Sequence, residues 1–160
     1  LAHVPEEAET PLCSLLEHSN IPTPVAEALS DKCNTALKNN RKQSLINGLR
    51  ALSNRKAIKI RQTLLQQVLT SNLATDHEIL LVITARCWLD LQDDGLRLLF
   101  LEKLAEASPD QQLFQGIVAD LVAIPAIRTA ILQSFRSPER SATLATAIGH
   151  LFGQHQSAAN

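Results

Sequence analysis

Side chains capable of chemistry are present in this sequence, but their spacing assembles no familiar site. The histidines are His3, His18, His77, His150 and His155. His150 and His155 stand five apart, not the i, i+4 spacing that places two metal ligands on one helical face. No glutamate follows as it does in a zinc-protease helix. Cys13 and His18 are also five apart, with no second pair to complete a metal site. His77 falls in the first turn of a helix and reads as solvated. The expectation is no metal and no cofactor.

Adjacent carboxylates occur at Glu6-Glu7-Glu9 and at Asp93-Asp94. The first group reads as a flexible acidic lead-in over residues 1–9, ahead of any helix. The second reads as a helix start, where aspartate favours both the cap and the helix dipole. Neither shows the apolar enclosure that would raise a carboxyl pKa for acid catalysis. There is no Gly-x-Ser-x-Gly turn and no P-loop, and the five glycines are scattered. No catalytic residue is assigned, and the chain is expected not to be an enzyme. Cys13, Cys33 and Cys87 are odd in number and widely spaced, which excludes a full disulfide framework. They read as small apolar side chains inside helices in a reducing, intracellular compartment. One bridge with a free thiol is the alternative.

Charge is the most informative pattern. Between Asp31 and Asp76 there is no acidic residue, and nine cations stand in that window: Lys32, Lys38, Arg41, Lys42, Arg50, Arg55, Lys56, Lys59 and Arg61. The flanks are acidic, so a formal net charge of −1 hides a strong segregation. A rotation of about 100° per residue puts Arg55, Lys56, Lys59, Gln62, Thr63 and Gln66 on one side of a helix. Ile58, Ile60, Leu64, Leu65, Val68 and Leu69 fall on the other. Lys38, Arg41, Lys42, Arg55, Lys56 and Lys59 are the candidate binding residues of a basic band near 38–61. Arg61 differs, because it projects from the apolar face and there needs a carboxylate, a carbonyl cluster or an anionic ligand. Glu27 is the first candidate and Asp31 the second. The competing reading is intramolecular: the acidic early helices lie beside the basic ones.

The elements that must position these residues are helical. Thr10-Pro11, Thr23-Pro24, Ser108-Pro109 and Ser137-Pro138 each set a capping hydroxyl before a proline. Ser108–Gln111 and Thr75–Glu78 extend this toward capping boxes. Strand signals are nearly absent. The periodicity predicts about nine helices: near 11–19, 24–38 and 42–52, after Asn54 to about Thr70, after Thr75 to about Leu91, after Asp93-Asp94-Gly95 to before Pro109, from Pro109 to about Val122, from Pro125, and from Pro138 to near Gly153. A tail over 154–160 should fray. The fifth helix is apolar nearly all round, which predicts a central position. Its polar exceptions, Arg86 and Asp90, are four apart, share a face, and are expected to pair with each other or with a neighbour.

A chain of 160 residues, 45% apolar and 19% charged, is globular and long enough for one domain with its own core. No apolar run approaches the length of a membrane span. The chain contains no Met, so Leu1 is expected to follow processing or excision rather than to be a translation start. The fold class is therefore all-α, a compact irregular bundle of about nine short helices, with a short solenoid as second choice. The function expected is a helical protein–protein interaction module whose partner offers an acidic or apolar surface. The alternative is a nucleic-acid-binding domain contacting phosphates through the same band. Against it stand the near-neutral total charge and the lack of aromatic residues among the cations.

Overall fold

Apolar residues recur every three or four positions through most of the chain, and in the computed structural model of the protein these runs form α-helices. The structure describes residues 6–53 and 57–157, without the side chains of 6, 7 and 154–157. Among the described residues there are nine α-helices and no strand, so the all-helical, multi-helix expectation holds. The chain packs as two compact units, Leu1–Asp90 and Leu91–Asn160.

The first unit holds α1 (Glu6–Glu17), α2 (Thr23–Lys38), α3 (Lys42–Ala51), α4 (Ile58–Leu69) and α5 (His77–Arg86). Helix α3 is its centre and packs against α1, α2 and α5, while α4 packs on α2. Leu29, Cys33, Leu45, Leu49, Leu64, Leu65, Val68, Ile79, Leu80 and Ile83 are fully buried there. The second unit holds α6 (Asp94–Ala107), α7 (Gln112–Ala123), α8 (Pro125–Ser134) and α9 (Ala142–Ser157). Helix α6 packs against the other three and buries Phe100, Leu101 and Leu104 among Phe114, Leu121, Ile131 and Leu144. Among the described residues no helix is long and apolar enough to cross a membrane.

Several helix starts differ from expectation, two of them for one physical reason. Proline after Ser or Thr suits the second position of a β-turn as well as the first turn of a helix. Ser108–Gln111 is such a turn, closed by Gln111 N–H donating to the Ser108 carbonyl at 3.0 Å. Gln111 sits at φ 64° and α7 begins only at Gln112, so no capping box forms. Ser137–Arg140 is another turn, and α9 starts at Ala142. Its cap is Ser141, whose Oγ accepts from Leu144 N–H at 3.1 Å. Only Thr23-Pro24 opens a helix, and there Thr23 is already the first helical residue, with Pro22 rather than the hydroxyl in the cap position. Asp76, not Thr75, caps α5, accepting from Glu78 N–H and Ile79 N–H.

Helix α1 begins at Glu6 and carries Pro11 in its interior, so Glu6, Glu7 and Glu9 belong to a helix rather than to a lead-in ahead of it. At the other end α9 continues past Gly153 to Ser157. Helix α5 stops at Arg86, and a 3-10 turn, Trp88–Gln92, takes over where an α-helix was expected. Leu80, Ile83 and Cys87 are fully buried as expected, but Leu81 is 47% exposed, so α5 is not enclosed on all sides. The expected start of the fourth helix, just after Asn54, lies outside the described residues, and its described part begins at Ile58.

Candidate interaction surface

The basic window divides into cations matched inside the first unit and cations open to water. Lys32 on α2 lies 3.2 Å from Glu9 of α1. Arg50 on α3 reaches Glu17 of α1 at 3.6 Å. Lys42, at the start of α3, sits between Asp76 at 3.4 Å and Glu78 at 3.3 Å, both at the start of α5. Hydrogen bonding to Glu78, then to Asp76, raises the Lys42 pKa and holds its charge. The carboxylates that match this window therefore come from both flanks, from α1 and from the first turn of α5. Lys42 is half-buried and engaged rather than free for a partner.

Lys38, in the last turn of α2, and Arg41, two residues past the C-cap Asn39, are both exposed. Between them Asn40 takes a left-handed conformation, φ 53°, which lets the chain reverse in three residues. The Asn40 side chain accepts from Asn72 Nδ2 at 2.7 Å, tying this corner to the link after α4. Lys59 is exposed on the outer face of α4, on the side predicted by the helical rotation. Among the described residues no ion pair reaches Lys38, Arg41 or Lys59. The two remaining candidates, Arg55 and Lys56, lie outside the described residues.

Arg61 is fully buried, as its place on the apolar face of α4 required. Its partner is neither Glu27 nor Asp31, which are both exposed on α2. Arg61 Nε donates to Asp90 Oδ2 at 2.5 Å, and Nη1 donates to the Leu52 carbonyl at the C-terminus of α3. That carbonyl is one of the acceptors a helix end leaves without an intrahelical donor. The pairing arises because α5 ends at Arg86 and the 3-10 turn rotates Asp90 off the face it would share with Arg86. Burial raises the Asp90 pKa, and the Arg61 guanidinium opposes that shift. Arg86 is released to Glu17, 2.5 Å away.

Sequence reasoning missed two groups. One is Glu9, only 6% exposed on the inner side of α1. The other is Arg97 in the second unit, where Nε donates to Ser134 Oγ at 2.6 Å and Nη2 to Asp94 Oδ1 at 2.6 Å. Its Nη1 donates to the carbonyls of Leu91 and Gln92. Arg97 thus closes the start of α6 onto the end of α8. Its flanking run of Leu96, Leu98 and Leu99 was the available signal for burial. Asp93 caps α6 by accepting from Leu96 N–H at 2.9 Å, the role expected of that pair.

The three thiols are free and buried. Burial pushes Cys33 and Cys87 up to about 12, and raises Cys13 with help from the nearby Glu9 charge. All three are therefore neutral thiols near pH 7, poorly suited to nucleophilic work. His18, His77 and His150 are exposed, while His3 and the side chain of His155 lie outside the described residues. No group of three His, Cys, Asp or Glu among the described residues could hold a metal ion.

These features define an all-helical protein with internally matched charges and a few open cations on its first unit. The chain belongs to the family described as "Protein of unknown function (DUF3549)", which matches residues 1–152. No match was found among curated proteins or among solved structures.

Proposed function

We propose that the chain is a non-enzymatic helical module that binds another protein through an acidic surface of that partner. The observation that carries this reading is the open pair Lys38 and Arg41, exposed on either side of the α2–α3 corner and joined in no ion pair among the described residues. Matched cations have their field cancelled within the fold. Unmatched ones leave a positive potential in solvent that steers an anionic partner. Lys59 adds a third open cation on α4. The packing of α2 on α3 fixes the backbone positions from which Lys38 and Arg41 project.

The test is capture of a partner from a cell lysate, with and without nuclease and at two salt concentrations. A protein retained after nuclease treatment, and lost from the triple reversal Lys38→Glu/Arg41→Glu/Lys59→Glu, supports the reading. Retention that vanishes with nuclease and falls steeply with salt replaces it with phosphate binding. Because exposed charges contribute little to stability, the triple variant should remain folded.

A further inference from the structure

Helix α1 is attached through two inward carboxylates together with Cys13 and the half-buried Leu12 and Leu16. Glu9 Oε2 faces Lys32 Nζ at 3.2 Å and accepts from Ser44 Oγ at 3.2 Å. Thr10 Oγ1 accepts from Asn47 Nδ2 at 3.0 Å. Glu17 lies between Arg50 at 3.6 Å and Arg86 at 2.5 Å. Of the apolar side chains on α1 only Cys13 is fully buried. Ala8, Pro11 and Leu15 face outward beside Thr10 and Ser14, with Leu15 70% exposed, while Leu12 and Leu16 are half-buried. Carboxylates thus share the inner side of α1 with apolar residues, where the usual amphipathic helix turns only an apolar stripe to the core.

The ion pairs and hydrogen bonds that help hold α1 are reversible, because such pairs are screened by salt and water competes for each of them. With Cys13 its one fully buried apolar side chain, α1 has fewer such anchors than α3 with Leu45, Ile46, Leu49 and Ala51, which places it lower in local stability. The link to α2 borders open space. Its residues Asn20, Ile21 and Pro22 border a hollow of about 300 Å³ shared with Ala26, Ala57 and Ile60.

We propose that the surface beneath α1, formed by Lys32 of α2, Ser44, Asn47 and Arg50 of α3, and Arg86 of α5, is a receptor for an acidic helix. Helix α1 occupies it in cis, and a partner protein's helix with two carboxylates eight residues apart takes its place. The occupant is argued from charge complementarity. Three cations from three helices converge on the two carboxylates of α1. Eight residues of helix separate those carboxylates by about 12 Å, a spacing that an incoming helix reproduces from its sequence alone. The proposal rests on the chain being a protein-binding module, but it uses cations other than Lys38, Arg41 and Lys59.

The probe is a fluorescent peptide with the sequence of residues 6–19, titrated against the full chain and followed by anisotropy. In the wild type the tethered α1 competes at high effective concentration, so the peptide binds weakly. In Glu9→Gln/Glu17→Gln the tethered copy is disarmed, and the peptide should bind about tenfold tighter or better, with an affinity that falls as salt rises. Adding Arg86→Glu to that variant should return binding to the wild-type level. Hydrogen exchange on the same samples should show α1 opening while α3 and α5 keep their protection. Three results overturn the proposal: wild-type α1 as protected as α3 at low and high salt, a folded double variant that fails to take up the peptide, or loss of α3 and α5 protection together with α1. If the peptide fails but the Lys38/Arg41/Lys59 reversal still abolishes partner capture, the receptor is wrong and the general reading stands. If the peptide exchanges and that reversal changes nothing, the open corner is not the binding surface.

Discussion

The Sγ of Cys33 on α2 rests against the bare Cα of Gly48 on α3, so near that a Cβ at position 48 would overlap it. Gly48 is therefore set by close approach of two helices, not by backbone conformation. Alanine in a helix interior normally gains about 1 kcal/mol over glycine. Forcing an extra carbon into a filled core loses about 1–3 kcal/mol. Cys33 is buried and has little freedom to swing away, so the overlap should win. Gly48→Ala is expected to lower the denaturant midpoint. In a Cys33→Ala background the space is vacated, and the same change should be neutral or stabilising. Equal effects in the two backgrounds would show that the helices simply move apart.

Arg61 and Asp90 make a second coupled pair. Replacing either alone leaves a buried charge without its partner, which typically costs about 3–5 kcal/mol. Arg61→Met also strands the Leu52 carbonyl, adding to the loss. Asp90 Oδ1 is already buried with no hydrogen-bond partner among the described residues, so this pair is not ideally satisfied. The double change Arg61→Met/Asp90→Leu should consequently be far less destabilising than the sum of the single ones. Glu27→Gln should shift stability by no more than about 0.5 kcal/mol, as for an ordinary surface site. A double-mutant cycle in urea measures the coupling directly.

That pair also shows where the sequence stops being legible. Periodicity identifies the buried face of α4, and so the burial of Arg61, because a helix repeats its geometry locally. It does not identify which neighbour meets that face, and Asp90 is 29 residues away. The same limit hid the attachment of Arg86 to α1. Asp90 was misplaced because no glycine or proline marks the change from α to 3-10 geometry after Arg86; the apolar run simply continues. The Ser-Pro pairs misled because turn and helix start use the same two residues. In the basic window, composition showed that cations were concentrated there. Only packing separated Lys32, Lys42 and Arg50, matched by carboxylates, from Lys38, Arg41 and Lys59.

Alkaline pH should expose the buried thiols. Cys33 and Cys87 have ordinary values of 9.0 when unfolded and about 12 in the fold, both raised by burial. Between those limits the folded chain keeps protons that the unfolded chain releases. The contribution of each thiol is complete below pH 9.0 and is lost as pH rises toward about 12. The slope per thiol is at most about 1.4 kcal/mol per pH unit. Urea midpoints measured from pH 8 to 11 should fall, and Cys87→Ala should flatten that fall while lowering stability at pH 8. An unchanged slope would mean that Cys87 ionises in the folded chain, and a thiol reagent should then react with it without unfolding.

The two faces of α5 provide the sharpest contrast in packing. Ile83 is fully buried, and its neighbours one turn away on the same face, Ile79 and Leu80, are buried with it. Leu81, two residues from Ile83 and on the opposite side, is 47% exposed. Ile83→Ala removes three carbons from a site that cannot collapse fully and should cost about 2–5 kcal/mol. Leu81→Ala removes three carbons that already meet water, so its cost should stay below about 1 kcal/mol. Thermal or urea unfolding of the two variants beside the wild type is sufficient to check this. Similar losses at both positions would mean that the outer side of α5 is covered in solution, and Leu81 would then mark where that cover sits.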